Sequence, residues 1–314
     1  MSTPLKIFPG GIHALDSGYV RPGLDAIHFI VEQGRIAVID TAHAASLPRF
    51  LDALEGLGLN AQAVDYVILT HVHLDHAGGA GAYMAALPNA RLIVHPRGAR
   101  HMIDPTALFA GASAVYGEEE VKRLYGPPTP VAAERVIEAA DGQIFELAGR
   151  PLQTLHTPGH AKHHLSLWDE RARAAFTGDT FGLSYREMDQ NGHPFILPTT
   201  TPVQFDPEAM KASLARLLAL KPEALYLTHF SRVGEVERLG ADMERRIDAF
   251  VQIAEAAQAD GGDSEQKKNA IRAALANYIR AEAPWVDEET QENLLSVDHE
   301  LNAQGLTWWI EHRS

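Results

Sequence analysis

Residues 70–79 read Thr-His-Val-His-Leu-Asp-His-Ala-Gly-Gly, which places three histidines and one aspartate within six positions: His71, His73, Asp75 and His76. Imidazole nitrogens and carboxylate oxygens are ligands for zinc, iron or manganese. His71 and His73 are two apart and can point the same way along an extended chain. Asp75 and His76 are adjacent and must point differently. That pattern suits two neighbouring metal ions better than one. A solitary loop histidine is usually just solvated, and the chain has 16 histidines. Four ligand side chains gathered at one strand end, ahead of a glycine pair, are not a chance product.

The elements around the run decide where it sits. Val64-Asp65-Tyr66-Val67-Ile68-Leu69 is apolar and β-branched, which predicts a buried strand ending at the motif. Open α/β sheets build their sites at such carboxyl ends. Gly78-Gly79 closes the loop and lets a helix begin close by, over about residues 80–86. Upstream, 26–31 and 35–40 predict a hairpin around Glu32-Gln33-Gly34, and 46–57 has helical periodicity. Downstream, short strands are expected at 91–95, 135–138, 143–147, 151–156, 164–168, 174–176 and 224–227. Residues 97–127 read as short helical stretches forming an insertion over the site mouth. Asp206-Pro207 is a helix start, an N-cap followed by proline in the first turn. Beyond residue 235 the apolar spacing is helical, with breaks at Asp260-Gly261-Gly262-Asp263 and Pro284-Trp285 and a last helix over about 288–303.

Composition narrows the class. The 314 residues are 46% hydrophobic, enough for a sizeable core, and carry no cysteine. Disulfides, thiolate ligands and a cysteine nucleophile are thereby excluded. The net charge of −14 disfavours a nucleic-acid partner. No apolar run approaches the roughly 20 residues of a membrane span. Met1-Ser2-Thr3-Pro4-Leu5-Lys6 has no charged region followed by an apolar stretch, so a cytoplasmic setting is expected.

His71-x-His73-x-Asp75-His76 resembles the signature of the metallo-β-lactamase superfamily. Three further blocks follow in the family's order: Thr157-Pro158-Gly159-His160, Phe176-Thr177-Gly178-Asp179-Thr180 and Leu227-Thr228-His229-Phe230. The resemblance covers roughly residues 10–235. It implies an α/β fold, the four-layer αββα sandwich, with residues 1–235 catalytic and 236–314 a helical C-terminal subdomain. It implies two divalent ions, zinc foremost with iron or manganese as alternatives. One ion would take His71, His73 and His160, and the other Asp75, His76 and His229, with Asp179 bridging. The absence of cysteine sets aside the lactamase subclasses that bind metal through a thiolate.

Such a centre holds a shared hydroxide that attacks a carbonyl or phosphorus, while Asp75 orients the nucleophile and carries its proton. Asp40, at the end of a strand, is a candidate partner for a ligand histidine. His164, four after His160, matches a histidine in hydrolases such as glyoxalase II and is given a supporting role. Tyr185, six past Asp179, is a candidate substrate contact, although lactonases of the superfamily place their tyrosine nearer that aspartate. Lys162 and His163 read as surface residues, and Tyr116 and Tyr125 as residues of the insertion that select substrate. The expected function is hydrolysis of a small ester, thioester or lactone. A mononuclear iron oxidoreductase resembling the persulfide dioxygenases is the alternative, with a phosphodiesterase or nuclease behind it.

Overall fold

The structure is a computed structural model and describes residues 5–313, apart from the side chains of Val115 and Tyr116. Met1–Pro4, part of the segment read for a leader, and the Tyr116 side chain lie outside the described residues. The chain divides into two compact units. The first comprises residues up to His156, then His163–Gly178 and Pro222–Arg232; the second comprises Thr157–Lys162, Asp179–Lys221 and the chain from Val233 onward. The motif residues are therefore divided between the units, His160 and Asp179 in the second and the others in the first.

The first unit is built on two sheets. One runs in sequence order through β1 (Lys6–Phe8), β2 (Ile12–Asp16), β3 (Ala26–Glu32), β4 (Arg35–Ile39), β5 (Val64–Ile68), β6 (Arg91–Val94) and β7 (Val136–Glu138). β1 to β4 are antiparallel, and β4 to β7 are parallel. Glu32 pairs with Arg35, so the expected hairpin turns on two residues. Its helices are α1 (Leu47–Gly56), α2 (Leu74–Ala77), α3 (Ala80–Ala86), α4 (Pro96–Ile103), α5 (Thr106–Tyr116) and α6 (Glu118–Tyr125). The second sheet orders β8 (Ile144–Leu147), β9 (Arg150–His156), β10 (Leu165–Asp169), β11 (Ala174–Gly178), β12 (Ala224–Leu227) and β13 (Ser231–Val233) side by side.

The alternation of side chains along each strand splits the core in two. Phe29, Val38 and Val67 face Phe50 and Leu54 of α1, Tyr83 of α3 and Met102 of α4. Ile30, Ile39, Ile68 and Ile93 meet Phe145, Leu152, Leu167, Phe176 and Tyr226 of the second sheet. Each such fully buried side chain contributes roughly 1.5–3 kcal/mol of transfer free energy. A one-residue slip in β4 or β5 would exchange the two cores, so register is strongly specified. That fixes which residues emerge at the strand ends.

The second unit is mainly helical: α7 (Pro207–Ala219), α8 (Val236–Asp260), α9 (Ser264–Glu282) and α10 (Glu288–His312). Asp206 caps α7 by accepting from Ala209 N–H at 3.0 Å, and Asp263 opens α9 with a reciprocal capping box to Gln266. α10 extends well past the expected end near residue 303. Gly305 lies inside it because a Cβ there would fall 1.4 Å from the Thr200 carbonyl oxygen. Glycine at this position permits a close backbone approach.

Candidate metal centre

In the first unit the ligand run folds as strand, short link and helical turn. β5 ends at Ile68, and His73 is the N-cap of α2, so Asp75 and His76 sit in a helical first turn. The helix expected after the glycine pair is α3, and α2 is an additional helical turn inside the motif. A Cβ at Gly79 would stand 2.7 Å from the Thr41 carbonyl oxygen and 2.9 Å from that of His43. Glycine here lets the segment after β4 press against the ligand turn, and Gly79 N–H donates to the Ala42 carbonyl at 2.9 Å.

The ligand-type atoms converge. His71 Nε2 lies 3.0 Å from His73 Nδ1. His76 Nε2 and His229 Nε2 are each 3.5 Å from Asp75 Oδ2. The donor atoms of Asp75, His76 and His229 fall within 4.8 Å of one another. His76 is fully buried, while the Asp75 side chain is 28% exposed and so within reach of solvent.

Buried carboxylates hold both rings from behind. His76 Nδ1 lies 2.9 Å from Asp40 Oδ2. Asp40 also accepts from Thr70 N–H at 2.8 Å and from the Thr228 hydroxyl at 3.0 Å. His229 Nδ1 lies 2.8 Å from Asp25 Oδ1. Burial pushes the Asp25 carboxyl up to about 6, with the adjacent His229 pulling it back down. The sequence alone does not single out Asp25, Thr70 or Thr228. Asp25 carries no local signal, being one aspartate just before a strand. Thr70 and Thr228 were visible as hydroxyl residues directly preceding ligand histidines.

His164 is buried with its ring 5.0 Å from that of His71 in a stacked arrangement. His163, read as a surface residue, is 7% exposed, and its Nδ1 accepts from Val72 N–H at 3.4 Å. The β5 end and the 163–165 segment are joined, Leu165 N–H donating to the Thr70 carbonyl at 2.7 Å, which draws the ring inward.

The second unit carries the other two motif residues. His160 Nδ1 lies 2.9 Å from the Thr199 hydroxyl, which donates to the Asp179 carbonyl at 3.0 Å. A hydroxyl that gives its proton to a carbonyl takes one from the ring, so His160 is protonated at Nδ1. Its Nε2 is 3.6 Å from Asp179 Oδ2. Tyr185 is buried, and its hydroxyl donates to Asp298 Oδ1 of α10 at 3.4 Å.

The sequence profile described as Metallo-beta-lactamase superfamily matches residues 21–229. A metallo-beta-lactamase fold-containing protein of Sulfurisphaera tokodaii is 28% identical over 226 residues, covering 70% of this chain and 78% of its own. An atrochrysone carboxyl ACP thioesterase of Aspergillus fumigatus is 29% identical over 117 residues, 37% of this chain. The chain spans 27% of that fungal protein's length and 46% of that of a lactamase-like protein of Penicillium aethiopicum. A metallo-beta-lactamase family protein of Thermus thermophilus superposes with a TM-score of 0.68 and 21% identity, covering 96% of this chain and 93% of its own. That likeness shows the fold, the αββα sandwich with C-terminal helices. With the profile spanning both ends of the ligand set, the chain belongs to the metallo-β-lactamase superfamily.

Proposed function

We propose that this chain is a dinuclear metal-dependent hydrolase of a small ester, thioester or lactone, in the glyoxalase II and lactonase-like branch. The observation that carries the reading is the convergence of His76 Nε2 and His229 Nε2 on one oxygen of Asp75, each at 3.5 Å. Two imidazoles and a carboxylate, with no thiolate available in the chain, fit zinc, iron or manganese. The motif assigns the full set: His71, His73 and His160 for one ion, Asp75, His76 and His229 for the other, and Asp179 for both. When bound, such a pair polarises a carbonyl and lowers the pKa of a water to about 7.

The chain's own groups do the rest. Asp40 accepts the His76 Nδ1 proton, leaving Nε2 as the ligand atom. Asp75 would hold a metal through one oxygen, leaving the other to orient a water and take its proton. No serine or cysteine nucleophile is required. The thioesterase named among the relatives supports the thioester arm. A small-molecule substrate in a cytoplasmic setting accords with the acidic charge. Among the described residues no helix is long and apolar enough to cross a membrane.

Metal quantitation on protein purified without added metal, followed by an ester, thioester, lactone and phosphodiester panel, tests the reading. Two ions per chain and turnover of a carbonyl substrate are expected. One iron per chain with oxygen consumption on a persulfide would replace hydrolysis with the dioxygenase alternative.

A further inference from the structure

We infer that Asp25 is a positioning residue for His229, fixing that ring with Nε2 toward Asp75 and placing a buried negative charge behind it. The inference rests on the metal-dependent reading above and adds a residue that no motif marks. Asp25 is completely buried just ahead of β3. Its Oδ1 is 2.8 Å from His229 Nδ1, and the Leu24 carbonyl oxygen is 3.2 Å from the same nitrogen. A carboxylate and a carbonyl both accept, so Nδ1 carries the proton and the Nε2 lone pair is left for a cation.

The carboxylate is held in place by its backbone. Ser17 N–H donates to the Asp25 carbonyl at 3.0 Å, and Ala26 N–H donates to the Thr228 carbonyl at 2.8 Å. The residue after Asp25 is thus tied to the residue before His229. A buried carboxylate is costly, and a neutral side chain would fill the same space at lower cost. What the charge adds is donor strength: a carboxylate on the far nitrogen makes an imidazole a stronger ligand. His76 repeats the arrangement with Asp40 at 2.9 Å. Both rings that converge on Asp75 are therefore backed in the same way, from two unconnected parts of the sequence.

The test uses the full chain with zinc alone as the probe. Asp25→Asn keeps the shape and an acceptor but removes the charge; Asp25→Ala removes both. Zinc affinity is read by chelator competition, histidine tautomers by long-range proton–nitrogen correlation, and the metal-free fold by thermal melting. Asp25→Asn should weaken one zinc by about tenfold and Asp25→Ala by up to about 100-fold. His229 should stay protonated at Nδ1 in both variants, because the Leu24 carbonyl still accepts there, so that the change in zinc affinity reports the lost charge. The melting temperature of metal-free Asp25→Asn should not fall. Wild-type zinc affinity in both variants, or a loss that merely tracks collapse of the metal-free fold, overturns the inference. If the wild type itself held no zinc, the metal-dependent reading would fail and take the inference with it.

Discussion

The Thr228 hydroxyl donates to Asp40 Oδ2 at 3.0 Å, although Thr228 follows β12 of one sheet and Asp40 follows β4 of the other. The bond fastens the two sheets of the first unit at the end where His76 and His229 emerge. Thr228→Val keeps the volume and removes the donor from a buried carboxylate. We expect a loss of about 1–3 kcal/mol in urea unfolding of the metal-free protein. Asp40→Ala should cost more, because it leaves the Thr70 amide, the Thr228 hydroxyl and the His76 ring without their acceptor. Equal stability of Thr228→Val and wild type would show that the bond is not a fastening.

The motif offers seven ligands, more than a single ion uses. Asp179 is the one assigned to both ions. Asp179→Ala is therefore expected to lower occupancy at both sites, read as metal per chain after a fixed chelator challenge. Loss of one ion with the other held at wild-type strength would remove Asp179 from its bridging role.

Acid should destabilise the metal-free protein through His28. This ring is buried, packed edge-on against Phe176 and Tyr226, and burial lowers its pKa to about 3. The unfolded chain takes up that proton near pH 6.5. Between pH 6.5 and 3 the unfolded state binds more protons, so stability rises with pH there and is lost as pH falls. One such group removes on the order of 2 kcal/mol between pH 7 and pH 5. His28→Gln should flatten that part of the profile, measured as urea midpoints of the metal-free protein at the two pH values. An unchanged slope would assign the acid sensitivity elsewhere.

Much of this arrangement was legible because short-range chemistry fixed it. The β3–β4 hairpin, β5, α1, α7 and α8 follow from periodicity and caps, and the motif histidines from their spacing. What was not legible depends on contacts between distant segments. β2, Ile12–Asp16, is entirely buried through a sheet pairing that its five residues do not announce. α10 runs on past residue 303 with Gly305 against the Thr200 backbone, a contact between segments far apart in the sequence. Asp25 matters only because β3 and β12 deliver it to His229. His163 reads as exposed because its burial comes from the tie between Leu165 and Thr70.

Tyr125 reads from the sequence as selecting substrate without affecting metal, and its surroundings predict something different. It is buried with Leu74, Phe109 and Val121 in a small core under the insertion, and its hydroxyl is hydrogen-bonded to that of Tyr19. Leu74 lies between His73 and Asp75, so the ring supports the ligand turn from its apolar side. Tyr125→Phe loses only the hydroxyl contact, and a cost of about 0.5–1.5 kcal/mol with metal retained is expected. Tyr125→Ala opens a cavity against Leu74, with a cost of about 3–5 kcal/mol. Because the cavity adjoins the turn that holds Asp75 and His76, its zinc affinity should fall as well. Stability and chelator competition measured on both variants separate packing from selection. A Tyr125→Ala protein with wild-type zinc affinity and an altered substrate panel would return Tyr125 to the pocket wall.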